Sequence, residues 1–469
     1  MPERLGAADA AYLYRDAPGA PTHVGTVSIF ETPTQGFDHE RLVRLIRQRI
    51  PYVPRYRKRI REVPLGLARP VWVDDSQFDV TYHVRRSALP RPGSRRQLNE
   101  LVSRLMSRPL DRQRPLWEMY LIEGLDDGCF AIVTKTHQAL VDGLVALDIS
   151  QVLLDDTDAG SSHFAADPWR PAPEPTDLEL LTAAISEPLA RPQEMVARVW
   201  QGGEQVVGAF SDLGRRGWQA VSAAADVARG AGHGSLSRPI GSQRRFATVD
   251  LPLSDFQQVH RQLGGTVNDV VLTVVAGALR TWLTGRGDPV EPATCIRALI
   301  PISTTDDPVS AFLVDLPIGE PDPVVRLRRI SFESSQYNRS AGSVGAQAII
   351  DMAGFGPATL HALSARLVTR LSSRMYALAI TNVPGPQQSL YASGCRLRAS
   401  YPVMPLGQNQ ALSIGLTSYA GGVHFGLNAD RDSMADVDEL GICLGGALGE
   451  LSRLAEQGPS RMRLVSEPR

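Results

Sequence analysis

Two long stretches of alternating strand-like and helix-like segments dominate this sequence, and a segment rich in proline and small residues separates them. The first stretch covers residues 1–158, the separating segment residues 159–240, and the second stretch residues 241–469. A chain of 469 residues is too long for one ordinary hydrophobic core. We therefore predict an α/β protein with two lobes and a helical connection between them.

The separating segment has two interpretations. The stretch Asp155–Asp177, which overlaps its start, is rich in Pro, Ser, Asp and Ala, which is typical of a linker. Residues 178–230 are helix-like, with arginines interspersed among small and apolar residues. Such helices could lie on a lipid interface, or they could form a crossover packed between the lobes. The second interpretation is favoured, because most amphipathic helices face a protein core.

Charge, cysteine spacing and hydropathy exclude several classes of protein. The 49 basic and 50 acidic residues nearly cancel, whereas a nucleic-acid-binding protein would show a basic excess. The four cysteines are far apart and form no Cys-x-x-Cys pair, so we expect neither a metal site nor a disulfide framework. We find no secretory signal and no apolar stretch of membrane-spanning length. We expect a cytoplasmic protein with at most peripheral contact with a membrane or a lipid droplet.

The first half is predicted to alternate strands with helices. Residues His23–Glu31 have the β-branched alternation of a strand, and Phe130–His137 form a second strand. Apolar residues repeat on one helical face in His39–Ile50 and in Arg96–Arg108, and Leu144–Leu154 is also helix-like. The residues after His137 therefore lie at a strand-to-helix junction, where a side chain can be presented into a cleft.

The second half continues the alternation. Residues Val267–Leu283 predict a long, mostly apolar helix, and Thr294–Ser303 and Ala377–Pro386 predict strands. Residues Ala411–Asp432 predict a hairpin with its turn at Gly421-Gly422. His23 and His424 are interpreted as ordinary strand residues.

The junction carries the sequence KTHQALVDGL, residues Lys135–Leu144. It differs by one residue, Gln138, from the pattern His-His-x-x-x-Asp-Gly. Four further motifs accompany it along the chain: THVGTVSIFE, PLWEMYLIEGL, TVNDVVLTVVAGALR and TNVPGP. Together these motifs resemble the bacterial wax ester synthase/diacylglycerol acyltransferase family over nearly the whole chain.

The resemblance implies a fold of two chloramphenicol-acetyltransferase-like lobes with a channel between them. Acyl-CoA would enter the channel from one side, and diacylglycerol or a fatty alcohol from the other. In this family the second histidine of the motif removes the hydroxyl proton as the oxygen attacks the thioester. No covalent acyl-enzyme is needed, and no cofactor is expected beyond acyl-CoA as co-substrate. The developing oxyanion needs a hydrogen-bond donor.

The resemblance also assigns roles to individual residues. The candidates for chemistry are His137, Gln138 and Asn268, and the candidates for shaping the loop are Asp142 and Gly143. Asn268 is a candidate oxyanion donor, although it and Asp269 could instead cap the helix that follows. Asp142 is expected to pair with an arginine, and Gly143 permits a tight backbone.

The sequence departs from the family in two places. Gln138 replaces the second histidine, and an amide cannot act as a base, although it can hydrogen-bond a hydroxyl. Residues Pro301–Pro317 lack an arginine and a Gly-Asn pair that the family has there. His137 could replace the missing base only if a local bulge turned it towards the channel, because neighbours on a strand point to opposite faces.

Three hypotheses follow from these departures. The protein is a working O-acyltransferase with His137 as the base, or a weak enzyme in which Gln138 orients the alcohol. Alternatively, it is a non-catalytic protein that binds acyl lipids or acyl-CoA.

Overall fold

The computed structural model describes residues 3–16, 19–141, 149–158, 169–190, 234–302, 310–339 and 376–457. Its described residues form two six-stranded mixed sheets, one in each lobe, and a small three-stranded sheet beside the first lobe. The strands are β1 (Glu3–Arg4), β2 (His23–Glu31), β3 (Lys58–Arg61), β4 (Val71–Asp74), β5 (Val84–Ala88), β6 (Trp117–Glu123), β7 (Cys129–His137), β8 (Arg244–Pro252), β9 (Ile296–Ile302), β10 (Ser310–Leu316), β11 (Leu378–Pro384), β12 (Tyr391–Ala392), β13 (Cys395–Val403), β14 (Leu412–Tyr419) and β15 (Gly422–Asp430).

The helices of the described residues cover the faces of these sheets. They are α1 (Ala7–Arg15), α2 (His39–Arg49), α3 (Val80–His83), α4 (Arg95–Ser107), α5 (Ile149–Val152), α6 (Asp177–Ala190), α7 (Leu253–Leu263), α8 (Val267–Gly285), α9 (Pro323–Arg339) and α10 (Val437–Gln457). Short 3₁₀ helices occur at Ile50–Tyr52, Pro54–Arg57, Pro64–Gly66 and Asp126–Gly128. The predicted α/β class is confirmed.

The sheet of the first lobe has the order β12-β13-β2-β7-β6-β5. β7 is buried along its whole length, because helices cover both faces of the sheet. On one face, Val133 packs with Leu98 and Val102 of α4. On the other face, Ile132 packs in a second apolar cluster with residues of α1 and α2. The central position of β7 places its last residue, His137, deep in the protein.

Helix α4 is fixed at both of its ends. Ser94 and Gln97 form a capping box at the N-terminus, in which each side chain bonds to the backbone of the other residue. At the C-terminus the fully buried Lys135 of β7 donates to the carbonyls of Leu105, at 2.9 Å, and Arg108. The Leu105 carbonyl also accepts the backbone N–H of Arg108 at 3.4 Å, so the ammonium group adds a second donor at this end of the helix. The bonds from Lys135 also tie α4 to the strand that ends at His137.

The second lobe is built around α8 and a sheet with the order β10-β9-β11-β14-β15-β8. α8 is buried along most of its length and packs in the largest apolar cluster with the sheet. The predicted hairpin is confirmed as β14 and β15. Its turn is at Ala420-Gly421, one residue earlier than predicted, and both residues have positive φ, as a tight two-residue turn requires.

Two strands from the second half of the sequence, β12 and β13, lie in the sheet of the first lobe. Residues 241–469 were assigned to the second lobe, but β13 pairs antiparallel with β2 of the first lobe. β2 has a second edge whose backbone groups need partners, and β13 supplies them. The sheet of the first lobe is therefore completed by two strands from the second half of the sequence.

Parts of the predicted connection lie outside the described residues. α6 confirms a helix at the start of the segment 178–230, whereas residues 191–233 are not described. Among the described residues no single helix is long and apolar enough to cross a membrane. α7 and α8 meet that criterion only as a pair, and the pair is bent by 104°.

Candidate active site

His137 lies at the end of β7, directly opposite His23 of β2. Its Nε2 is 2.9 Å from Asp16 Oδ2 and 3.0 Å from Thr22 Oγ1, and its Nδ1 accepts the backbone N–H of Ala139 at 3.0 Å. Because Nδ1 accepts, the proton of the neutral ring is on Nε2 and is donated towards Asp16. The ring is 1% exposed. The hydrogen bonds of His137 thus hold the end of β7 against the loop that follows α1.

This geometry does not support His137 as the base. A base needs a free lone pair, and the one lone pair of the neutral ring is occupied by the Ala139 N–H. The pairing of His137 with His23 is regular, so no bulge turns the ring towards a channel. His137 and Lys135 share one face of the sheet, as alternate strand residues do, and Lys135 points to α4.

Asp16 and Thr22 complete this anchor, and sequence reasoning missed both. Thr22 donates its backbone N–H to Asp16 Oδ1 at 2.7 Å and its hydroxyl to the same atom at 2.8 Å. Burial would raise the pKa of Asp16, but the hydrogen bonds from His137 and Thr22 hold that pKa well below its ordinary value. The carboxylate is therefore ionised at neutral pH and keeps the His137 ring oriented.

Gln138 follows the last paired residue of β7. Its backbone N–H donates to the Thr22 carbonyl at 2.9 Å, which fixes its Cα beside the start of β2. Its side chain is half-buried, and no side chain or backbone group of the described residues bonds to its amide. An amide offers both a hydrogen-bond donor and an acceptor to a ligand.

Asn268 lies in the first turn of α8 and does not cap it. The capping box of α8 is formed by Thr266 and Asp269, whose side chains each bond to the backbone of the other. Asn268 Oδ1 instead accepts the Nδ2 hydrogen of Asn382, at 3.1 Å. This bond orients the Asn268 amide and leaves its NH₂ group as a donor. Asn382, in the motif TNVPGP, had been given no role.

The two groups of candidate residues lie in different lobes. His137 and Gln138 end β7 in the first lobe, whereas Asn268 and Asn382 belong to α8 and β11 of the second. No hydrogen bond within the described ranges joins one group to the other. Asp142, Gly143 and residues 303–309 of the altered segment lie outside the described residues. The predicted pairing of Asp142 with an arginine stays a prediction.

The two-lobed arrangement places the protein in a structural class. A wax ester synthase/diacylglycerol acyltransferase from Marinobacter aquaeolei VT8 has a similar structure, with a TM-score of 0.69 and 28% identity over 97% of this chain and 100% of that chain. The first condensation domain of the calcium-dependent antibiotic synthetase, in complex with a substrate analogue, shares the fold at a TM-score of 0.56 and 14% identity, over 97% of this chain and 96% of that one. The protein thus has the CoA-dependent acyltransferase fold, as predicted.

Sequence comparison narrows this class to one family. The wax ester synthase/diacylglycerol acyltransferase catalytic domain matches residues 5–271, and the WS/DGAT C-terminal domain matches residues 307–452. The chain belongs to the wax ester synthase/diacylglycerol acyltransferase family, and the resemblance of its motifs is thereby confirmed.

Two relatives from Mycobacterium tuberculosis illustrate the match. The protein named "Probable diacyglycerol O-acyltransferase tgs1" is 32% identical over 95% of this chain and 92% of its own length. The protein named "Probable diacyglycerol O-acyltransferase tgs3" is 43% identical over 55% of this chain and 96% of its own length.

Proposed function

We propose that the protein is an O-acyltransferase that moves a long-chain acyl group from acyl-CoA to diacylglycerol, or to a fatty alcohol. The products are a triacylglycerol or a wax ester. The observation that carries this proposal is that both domains of the family match in order and together span most of the chain. The site residues that the structure describes are compatible with it.

The chemistry needs one group that binds the alcohol and one that stabilises negative charge. Gln138 is assigned to the alcohol, because its half-buried amide has no protein partner in the described residues and can hydrogen-bond a hydroxyl. Asn268 is assigned to the oxyanion, because the bond from Asn382 leaves its NH₂ group as a donor. The N-terminus of α8, where Asn268 lies, adds a favourable dipole for developing negative charge.

Transfer of an acyl group from a thioester to a hydroxyl involves no oxidation or reduction. We therefore assign acyl-CoA the role of co-substrate and no further cofactor. Because the acceptor is a lipid, we place the reaction at the surface of a membrane or a lipid droplet, with the protein bound peripherally.

A second candidate function is binding of acyl-CoA or acyl lipids without turnover. It is favoured by one observation: Gln138 cannot titrate, and both ring nitrogens of His137 are engaged. Neither His137 nor Gln138 therefore offers a free base.

The experiment that separates the two functions uses the purified protein with radiolabelled long-chain acyl-CoA. Diacylglycerol in mixed micelles and a long-chain fatty alcohol serve as separate acceptors, and the products are resolved by thin-layer chromatography. We expect acceptor-dependent formation of triacylglycerol or wax ester. If wild type and Gln138→His both bind acyl-CoA in equilibrium dialysis but form no product, the binding function replaces the enzymatic one.

A further inference from the structure

A cavity of about 250 Å³ lies where α4 of the first lobe meets the start of β8 in the second lobe. None of the candidate residues His137, Gln138, Asn268 and Asn382 lines it. Its charged lining residues are five arginines and two acidic residues, namely Arg96, Arg104, Arg244, Arg245 and Arg431 with Glu100 and Asp438. This excess of positive charge indicates that the cavity suits an anion.

The walls of the cavity are held in place by hydrogen bonds between the lobes. The backbone N–H of Phe246 in β8 donates to Ser103 Oγ of α4 at 2.8 Å. Two residues earlier, the backbone N–H of Arg244 donates to Ser107 Oγ at 2.9 Å. The cavity is therefore preformed, and a preformed site loses little conformational freedom when a ligand binds.

Three of the five arginines lie beside a carboxylate, at 3.2 Å for Arg96–Glu100, 2.9 Å for Arg245–Asp438 and 4.0 Å for Arg244–Asp430. The first two pairs are on the surface, and the third is buried. These pairs engage both acidic residues that line the cavity. Neither of these carboxylates is left to compensate a further arginine.

Arg104 and Arg431 are the two arginines without such a partner. Arg104 lies on the face of α4 that lines the cavity, and Arg431 directly follows β15. The backbone N–H of Arg431 donates to the Gln243 carbonyl at 3.1 Å, which fixes its position at the cavity. Both side chains are exposed, and neither guanidinium forms an ion pair or a hydrogen bond within the described ranges. Two arginines from different lobes thus line one cavity with their charges uncompensated.

A phosphate monoester matches this pair of arginines in charge and in chemistry. It carries a charge of about −1.5 to −2 at neutral pH, which balances two guanidinium groups. Guanidinium groups bind phosphate oxygens through paired N–H donors, so two arginines can hold one phosphate group. A carboxylate has a single charge and would leave one of the two arginines uncompensated.

We propose that this cavity is a binding site for a phosphate monoester, held by Arg104 and Arg431. The site goes beyond the acyl transfer proposed above, because none of its residues takes part in that chemistry. The same phosphate group is found in two kinds of compound: the adenosine 3′-phosphate of coenzyme A and the headgroup of phosphatidate. Both present a phosphate monoester to the two arginines.

The test measures binding with one pair of probes for each source. Coenzyme A is compared with dephospho-coenzyme A, which lacks the 3′-phosphate, by isothermal titration calorimetry. Phosphatidylcholine vesicles that contain phosphatidate are compared by cosedimentation with vesicles that contain phosphatidylglycerol, whose phosphate is a diester. We expect wild type to prefer the phosphate monoester in at least one pair. No turnover is needed, so the result does not depend on the proposed function.

Substitutions then assign the preference to the cavity. Arg104→Gln and Arg431→Gln should each weaken binding of the preferred probe about tenfold, because each removes a hydrogen bond to a charged group. Glu100→Gln removes a carboxylate from the cavity and should tighten binding. Arg328→Gln, at an exposed position of α9 outside the cavity, is the matched control and should leave binding unchanged. All four positions are exposed, so the unfolding temperatures should stay close to that of wild type.

The outcomes separate the two sources and can refute the site. A preference for coenzyme A that Arg104→Gln and Arg431→Gln abolish assigns the cavity to the 3′-phosphate, and a preference for phosphatidate that they abolish assigns it to the lipid headgroup. The proposal is overturned if wild type shows neither preference, or if both substitutions leave the preference intact. It is also overturned if Arg328→Gln weakens binding as much as Arg104→Gln does, because the binding is then a general effect of surface charge.

Discussion

At the scale of single residues, His137 and His23 sit side by side but have opposite surroundings. His137 has a partner for each ring nitrogen, whereas Nδ1 of His23 has none among the described residues. Sequence alone could place His137 at the end of a strand, and the structure confirms this. It could not predict the partners of the ring, since Asp16 and Thr22 are 121 and 115 residues away along the chain.

The role of His137 as an anchor predicts a loss of stability rather than of chemistry. His137→Ala removes the bonds to Asp16 and Ala139, and we expect the free energy of unfolding to fall by about 2–3 kcal/mol. Urea unfolding monitored by circular dichroism measures it. Gln257→Ala, at an exposed position of α7, should change the stability by less than about 0.5 kcal/mol. Unchanged stability with a loss of turnover of about a hundredfold or more would return His137 to the role of base.

Burial lowers the pKa of His23 well below its ordinary value, which predicts a pH-dependent stability. Below about pH 6.5 the unfolded chain binds a proton at His23, whereas the folded chain does not until the pH reaches its lower pKa. The unfolded state binds more protons in this window, so His23 makes the stability fall as the pH falls through it. Urea unfolding of wild type and His23→Gln between about pH 5 and about pH 8 should show a steeper decline for wild type. If the stability of the two proteins changes with pH in the same way, the lowered pKa of His23 is contradicted.

At the scale of elements, different residues at the start of α8 cap the helix and serve as candidates for chemistry. The sequence left open whether Asn268 caps the helix, and Asp269 at the third helical position takes that role together with Thr266. The helix itself was predicted to within two residues at its end, because its apolar pattern and its cap are local features. The partner of Asn268 could not be predicted, because Asn382 is 114 residues away.

Thr266→Ala and Asn268→Asp, both in this turn, should have opposite effects. The first should lower stability and largely keep turnover, whereas the second should keep stability and lower turnover. Thr266→Ala removes the cap and should lower the free energy of unfolding by about 1 kcal/mol while turnover is largely kept. Asn268→Asp keeps an acceptor for Asn382 and places a negative charge at a helix N-terminus, so stability should be equal or slightly higher. Its carboxylate cannot donate to an oxyanion, and kcat should fall by about two to three orders of magnitude. Full activity of Asn268→Asp would contradict the oxyanion assignment.

At the scale of the whole molecule, several features join the lobes, and two of them involve elements that surround His137. β13 leaves the second half of the sequence and pairs with β2, which itself carries His23. The alternating pattern of the second half predicted strands and helices there. It did not predict which strands pair, because strand partners are set by long-range packing that a single sequence does not display. The second feature is Arg244, the first residue of β8, which reaches from the second lobe into the first.

Arg244 is 5% exposed and donates to the Gly241 carbonyl at 2.8 Å and to the Gly19 carbonyl in the loop between α1 and β2. Its Nη1 is also 4.0 Å from Asp430 Oδ1, and this carboxylate is almost completely buried. Removing the guanidinium leaves the buried charge of Asp430 with less compensation and releases the loop that holds Asp16 and Thr22. The loss should therefore affect both stability and the site.

We expect Arg244→Met to lower the free energy of unfolding by about 3–5 kcal/mol. Arg245→Met is the matched control on the same strand, because Arg245 is 33% exposed and forms a surface pair with Asp438 that contributes at most about 1 kcal/mol. Adding Asp430→Asn to Arg244→Met should recover part of the loss, since the uncompensated charge is then removed. Urea unfolding of the four proteins measures these differences. Equal losses in Arg244→Met and Arg245→Met would show that the lobes are held together without this buried arginine.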